Sequence, residues 1–515
     1  MKWMTKALTL FCALAMLAGT AAAEEAKSAD QLAQEYQAAR LKGTNSRLKQ
    51  WYDPEIFDLS DLPVYDPAYE VSGTIRQWGS NYIKDSGLVQ IWEAEFKQWH
   101  PDVEFEDTLT SSANAFPGLI TGMADIGQMG REAMYDELNG FQRQCALGYA
   151  MAISTCFGSY EVRGWTFSLA VFVNKENPLD ALTMQQLDGI FGAARTGGWE
   201  GLTWTTEHAR GAEDNIRTWG QLGLTGEWEN APIQPYGYNL SYHFPDEFEK
   251  KVFHGGQRWN EDMIEVANAI DESTGMIVNG GTFMTDAVAK DKFAICYCGA
   301  PFLNDGVKML ALAADADSPA YENNYENIHN RTYPLTRDIF AYANPLQALN
   351  PVVSEFFKYI TSQQGQTRIA QDAKYVPLNR EAALKQWEIL DESKAKGVQY
   401  FKDSALTLTV NGAPVQTDVH AADFIGTLML PVEPVIQALG GTCSYDETGY
   451  ALTVALGGHD WTVRHGNVKV TADGETLRLE KPAFKVDGVM AAPAAFFTDM
   501  LNVSVVCTQD GVTID

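Results

Sequence analysis

Between residues 71 and 385 the chain alternates short apolar runs with stretches of helical periodicity. GTIRQW and DVEFEDTL read as strands, and between them SGLVQIWEAEFKQW sets Leu88, Ile91, Trp92, Phe96 and Trp99 at helical spacing. FSLAVFVNK is a continuous apolar run, the pattern of a strand buried on both faces. LTMQQLDGIFG reads as a helix opened by Thr183 as N-cap and closed by Gly192, and VVSEFFKYITSQQGQTRIAQDA as a late helical region. Strand–helix alternation over some 300 residues predicts an α/β architecture with a largely parallel sheet or sheets.

The flanks follow other rules. From about residue 405 short β-rich runs (LTLTVNGAPVQT, YALTVALGG, FKVDGVM) are joined by NG, GG and DG turns and interrupted by one helix, VEPVIQALGG. These residues, 405–515, predict a small separate β-rich domain, with 386–404 as a linker. Residues 24–50 are polar and helix-prone, and WYDPEIFDLSDLPVYDPAYEVSG reads as an extended segment lying on the surface of the α/β region, so 24–70 form an N-terminal extension. The first 23 residues carry Lys2 and Lys6, an apolar run from about Ala7 to Leu17, and an Ala21-Ala22-Ala23 cleavage site, the pattern of a secretory signal peptide. The expectation is an exported protein, in a periplasm or at the cell surface, with no later stretch apolar enough to span a bilayer.

Composition narrows the partners. The 515 residues are 45% hydrophobic and 20% charged, as in folded globular proteins, and the length calls for two or three domains. A net charge of −29 argues against nucleic acid or an anionic membrane surface, yet a nest of N–H groups holds a small anion inside a negative protein. Beyond Cys12, six cysteines remain. Export permits disulfides, sequence alone allows fifteen pairings, and Cys145–Cys156 and Cys443–Cys507, each within one expected unit, are the favoured pairs. The Cys296/Cys298 pair has no second ligand pair at metal spacing, so neither metal nor cofactor is expected.

Six segments occur in an order that resembles a known family: GTIRQWGSNYI, GLITGMADIGQMGRE, FVNKENPLDALTMQQLDGIFG, WGQLGLTGEW, TYPLTRDIFAYANP and FFKYITSQQGQTRIAQDAKYVPL. They are similar to the phosphate-type substrate-binding proteins of ABC importers, which have the class II periplasmic binding protein fold. The tail, with VNGAPV, LMLPVEPVIQALGG and SYDETGYALTV, resembles the copper amine oxidase N-terminal-like domain, which implies neither copper nor oxidase activity. The resemblance implies two α/β lobes closing on an oxyanion, most simply phosphate, for delivery to an importer, with the protein acting as a monomer. It implies lobe one at 71–168 and 298–385 and lobe two at 169–297.

The same resemblance implies the binding residues. Gly79 and Ser80 follow the first strand, Ser111 and Ser112 follow the second, and both sites precede helices, where unpaired N–H groups favour anions. Asp125 matches the family's carboxylate, which would accept the proton of a hydrogen phosphate and repel sulfate. Arg131 comes six residues later, either as an anion contact or in a surface salt bridge. In the second half, Tyr238 stands at the family's arginine, and Ser241, Tyr242 and His243 at its Ser-Gly-Thr. Tyrosine cannot reproduce a bidentate guanidinium clamp. Either the ligand differs, another base (Arg210, Arg217 or His243) compensates, or this lobe no longer binds.

Two other function classes compete. An enzyme is disfavoured, since no G-x-S-x-G elbow, P-loop, H-E-x-x-H or H-x-H is present. A binding-protein fold kept as a scaffold, with the tail engaging cell wall or a surface partner, stays open. So does transport of another anion or a small organic acid, which Tyr238 and Tyr242 would suit through aromatic contact.

Overall fold

In the computed structural model the described residues are 27–35, 53–160, 166–273, 275, 277–509 and 511–515. The signal peptide expected at 1–23 lies outside them, as does most of 24–50, of which 29–35 are helical. Among the described residues no helix is long and apolar enough to cross a membrane.

Two five-stranded mixed sheets form the central 300 residues. In the first the order is Val103–Leu109, Gly73–Gly79, Ile126–Met129, Asp338–Ala343, Met151–Phe157. Its first three strands are parallel, and Asp338–Ala343 runs antiparallel to both neighbours. The second has the order Ile264–Val266, Gln234–Tyr238, Ala294–Gly299, Leu169–Asn174, Val307–Met309, again with three parallel strands first, and with Leu169–Asn174 antiparallel to both its neighbours. The antiparallel strands Leu169–Asn174 and Asp338–Ala343 each come just after a crossing between lobes, where the chain enters a sheet from the far side.

Local sequence explains the elements. Leu88–Trp99 buries Leu88, Val89, Ile91, Trp92 and Phe96 against the first sheet, the stripe that its spacing demands. Thr183 caps Met184–Phe191 in a capping box with Gln186, and Leu169–Asn174 is buried at every position. The Asp- and Pro-rich stretch 53–72 lies along the first lobe. Leu59, Leu62 and Tyr65 are buried there, and the Tyr65 hydroxyl meets His100 Nε2 at 2.6 Å.

Three expectations need correction. Residues 298–313 belong to the second lobe rather than the first. Ala294–Gly299 and Val307–Met309 are strands of its sheet, and Ala311–Ala313 pairs with Ala181–Thr183. The core around Phe172 also takes in Tyr333 and Leu335, so the return crossing comes just before Asp338. Residues 386–404 are no linker. They continue a 23-residue helix, Arg380–Lys402, held by buried Ala383, Leu390 and Phe401. All six cysteines are free thiols. Cys145 packs with Phe116 and Phe141 while Cys156 lies in the strand facing Ile153 and Ile339, and Cys443 and Cys507 sit in two different sheets.

The tail combines an eight-stranded and a four-stranded sheet with the helix Val432–Ala438 over one core. It is fastened to lobe one rather than tethered. Leu346, Leu349 and Phe401 share a core with Phe424, Met429, Phe484 and Val486. The Ser72 N–H donates to the Gly466 carbonyl at 2.9 Å, and Lys469 pairs with Asp102 at 2.5 Å. Ser72, Asp102 and Asp125 mark the starts of the parallel strands, so the tail caps the end of the first sheet opposite the strand C-termini.

Candidate functional site

Parallel strands present their carboxyl ends together, and in α/β proteins ligands bind there. At that end of the first sheet three loops are knitted to one another. Gly79 has φ +130°, and a Cβ on it would meet the Gln128 carbonyl at 2.0 Å, so only glycine lets the first and third strands approach here. The Ser80 N–H donates to that same carbonyl at 2.7 Å, and the Ser80 hydroxyl accepts from the Tyr82 N–H at 3.2 Å, opening the helix Asn81–Asp85. The Ser111 N–H donates to the Gly79 carbonyl at 2.7 Å, and its hydroxyl accepts from the Ala113 N–H. The Ser112 hydroxyl accepts from the Gly130 N–H at 3.2 Å, tying the second loop to the third.

These loops and one residue of the second lobe surround a cavity of about 220 Å³. Its described lining is Ser80, Asn81, Tyr82, Thr110, Ser111, Ser112, Ala113, Gly130, Arg131 and His243. That volume is below the roughly 300 Å³ at which drug-sized ligand sites begin, and suits a small ion. A larger cavity, about 720 Å³, lies between the strand Met151–Phe157 and the helix Arg380–Lys402. Charges of both signs line it, among them Arg331, Asp338, Glu381 and Lys385, and they do not converge on one ligand charge.

The charges at the small cavity are balanced by the protein itself. Arg131 forms a bidentate pair with Glu137, both bonds 2.8 Å. His243 opens the helix His243–Val252, and its ring leans on Phe244 with centroids 4.2 Å apart. Burial, then Arg337, pushes its imidazole down to about 3, against the pull of Glu247 one turn later. Glu247 bridges the lobes: it accepts the Glu132 N–H at 2.9 Å and meets Arg337 at 3.2 Å. Burial would raise its carboxyl, but Arg337, Lys251 and the Glu132 amide outweigh that and hold it at about 2. Lys250 adds a bond to the Ala133 carbonyl and stands 3.7 Å from Glu132.

Of the residues expected from sequence, Ser80, Ser111, Ser112, Arg131 and His243 come together here, with Gly79 just behind. Asp125 does not. It sits at the start of the strand Ile126–Met129, about 15 Å from Gly130 at strand rise. Both its oxygens are bound by Arg76 at 2.8 and 2.9 Å, with Gln347 and Lys481 beside them. Its carboxylate therefore fastens the base of the lobe to the tail and is not among the lining residues of the small cavity. Tyr238 is fully buried, stacked on Phe244 and donating to Asn279. Ser241 bonds Asn239, and the Tyr242 hydroxyl accepts the Asn268 N–H. None of the three lines the cavity. Arg210 and Arg217 are spent on Asp188 and on the carbonyls of Gly189 and Gly192.

Sequence reasoning missed Thr110, Asn81, Tyr82 and the supports Glu137, Glu247 and Arg337. Thr110 was the legible one, since it adjoins Ser111 in the same loop. Arg337 lies in the segment TYPLTRDIF, but nothing local shows that its fully buried guanidinium turns to Glu247.

Comparisons with known proteins supply the family. Residues 409–514 match the family model for the copper amine oxidase N-terminal domain. Among solved structures the chain is similar to an ABC-type phosphate transport receptor from Vibrio cholerae, at 19% identity over 59% of this chain and 99% of that one, with a TM-score of 0.36. It is also similar to PstS from Borrelia burgdorferi, at 15% identity over 60% and 100%, TM-score 0.38. Among characterised sequences the phosphate-binding protein PstS of Pseudomonas aeruginosa is 31% identical over 328 residues, 63% of this chain and 89% of the relative. With that identity across nearly the whole of the relative, and two lobes joined over a shared cleft, the chain belongs to the PstS family of substrate-binding proteins.

Proposed function

We propose that this protein captures phosphate between its two lobes after export and delivers it to the membrane subunits of an ABC importer. The observation that carries this is the cavity at the strand carboxyl ends. Two serine-opened turns and Arg131 from one lobe face His243 from the other there, in a chain 31% identical to a phosphate-binding protein. Helix starts leave N–H groups without intrahelical partners, so the backbone of both turns favours an anion. Hydroxyls that already accept a bond from a neighbouring N–H keep their O–H free to donate outward.

Binding, not catalysis, is the activity proposed, with the protein working as a monomer. The tail, which caps lobe one on the side away from the cleft, leaves the cleft clear and suits contact with a cell wall or a surface partner. Calorimetry with phosphate, on mature protein unfolded and refolded to strip carried-over ligand, tests the reading. Micromolar or tighter binding at pH 7.5 that weakens at least tenfold in Ser112→Ala supports it. Absence of heat with phosphate, sulfate and molybdate alike refutes it and leaves an organic ligand or a scaffold role.

A further inference from the structure

The cations around the cavity are already paired. Arg131 is held by Glu137 through both terminal nitrogens, and Arg337, fully buried behind His243, is held by Glu247. No other lysine or arginine is among the described lining residues. An oxyanion with two charges would therefore enter a chain of net charge −29 and meet dipoles but no uncompensated positive charge.

One lining group can change that. Among the described residues neither ring nitrogen of His243 has a hydrogen-bond partner, and the ring leans on Phe244 with centroids 4.2 Å apart. The groups that face it are Arg131 from the third loop, Tyr82 from the first, Arg337 from the turn just before the strand Asp338–Ala343, and Glu247 from its own helix. In the free protein burial, Arg337 and Arg131 keep the ring neutral. A dianion in contact reverses the balance, because opposite charge at close range favours the protonated form.

Resting on the reading that this cavity is the anion site, we propose that His243 is the conditional cation of this protein. The imidazole is neutral when the cleft is empty and takes up one proton from solvent when a dianionic oxyanion binds. The proton balance is one H⁺ consumed per dianion, carried by the ring nitrogen that faces it. A monoanionic dihydrogen phosphate carries that proton in with it. The permanent guanidinium clamp implied by family resemblance at position 238 is thereby replaced by a charge that exists only in the complex. Anion capture becomes stronger as the medium turns acidic.

Sulfate is the probe, because it has no titratable proton in the working range and any uptake must fall on the protein. Calorimetry of the full mature chain is run at pH 5.5 and 6.5, each in two buffers of unlike ionisation enthalpy. The expected result is a heat difference per sulfate equal to the difference between the two buffers' ionisation enthalpies, the mark of one proton taken up, and a Kd about tenfold weaker at pH 6.5, the slope of one linked proton. In His243→Gln, which keeps a neutral donor and acceptor, both the buffer dependence and the pH slope should vanish. Identical wild-type heats in the two buffers overturn the proposal. So does phosphate binding with no sulfate binding at pH 5.5, which leaves the phosphate reading standing. Failure to bind either anion overturns both.

Discussion

Glu247 of the second lobe accepts the backbone N–H of Glu132 in the first at 2.9 Å, while its other contact, Arg337 at 3.2 Å, is fully buried. A single carboxylate thus compensates a buried guanidinium and joins the faces that close on the cavity. The closed arrangement is held by protein groups at the edge of the site, leaving the loops of the first lobe free to address the anion.

Removing that carboxylate should cost more than a surface ion pair would. Glu247→Ala leaves Arg337 buried and uncompensated, which typically destabilises by about 3–5 kcal/mol. Thermal unfolding should show a large drop, and small-angle scattering a more open particle. If the melting temperature and radius of gyration are unchanged, Glu247 is not the bridge described here.

Asp125 and Ser112 should separate stability from binding. Asp125→Ala removes the partner of Arg76, Gln347 and Lys481 and is expected to lower stability by about 3 kcal/mol, with phosphate Kd within about threefold of wild type. Ser112→Ala removes the acceptor of the Gly130 N–H and a donor to the anion, so it should weaken phosphate about tenfold with little change in melting temperature. The reverse pattern, measured by calorimetry and thermal melts, would return Asp125 to the anion site.

His465 makes the junction of tail and lobe sensitive to acid. It lies between Tyr69 and Tyr450, accepts the Lys485 N–H at Nδ1, and is pushed down to about 4 by burial and by Lys394, Lys485 and Lys358. A histidine depressed in the folded state contributes stability that is complete above its unfolded value near 6.5 and is lost as pH falls towards 4. The full effect is about 3 kcal/mol. His465→Gln should therefore lose less melting temperature than wild type between pH 7 and pH 4.5. Parallel losses in the two proteins would show that His465 does not carry the acid sensitivity.

The thiols offer a chemical check. With every cysteine of the described chain unpaired, mature protein denatured without reductant should react with six equivalents of a thiol reagent. Four or fewer would mean that a disulfide forms after export.

Much of this protein is legible in its sequence, because the features concerned are local. Periodicity alone marks the helix Leu88–Trp99 and the buried strand Leu169–Asn174. Capping chemistry places the start of Met184–Phe191 at Thr183, and a serine after a strand marks Ser80 and Ser111 as helix openers. Each depends on residues within a turn or two of one another. What only the tertiary structure decided depends on which end of a strand, and which side of a sheet, a residue occupies. Asp125 and Arg131 are six residues apart, but an extended chain carries them to opposite ends of the lobe, one to the tail junction and one to the cavity. Tyr238 and His243 show the same thing over five residues: one turns into the second lobe's core and the other opens a helix at the cleft. The separation of the cysteines, the late return crossing and the union of Arg337 with Glu247 rest on contacts between distant segments. Packing, which no local propensity encodes, settled them.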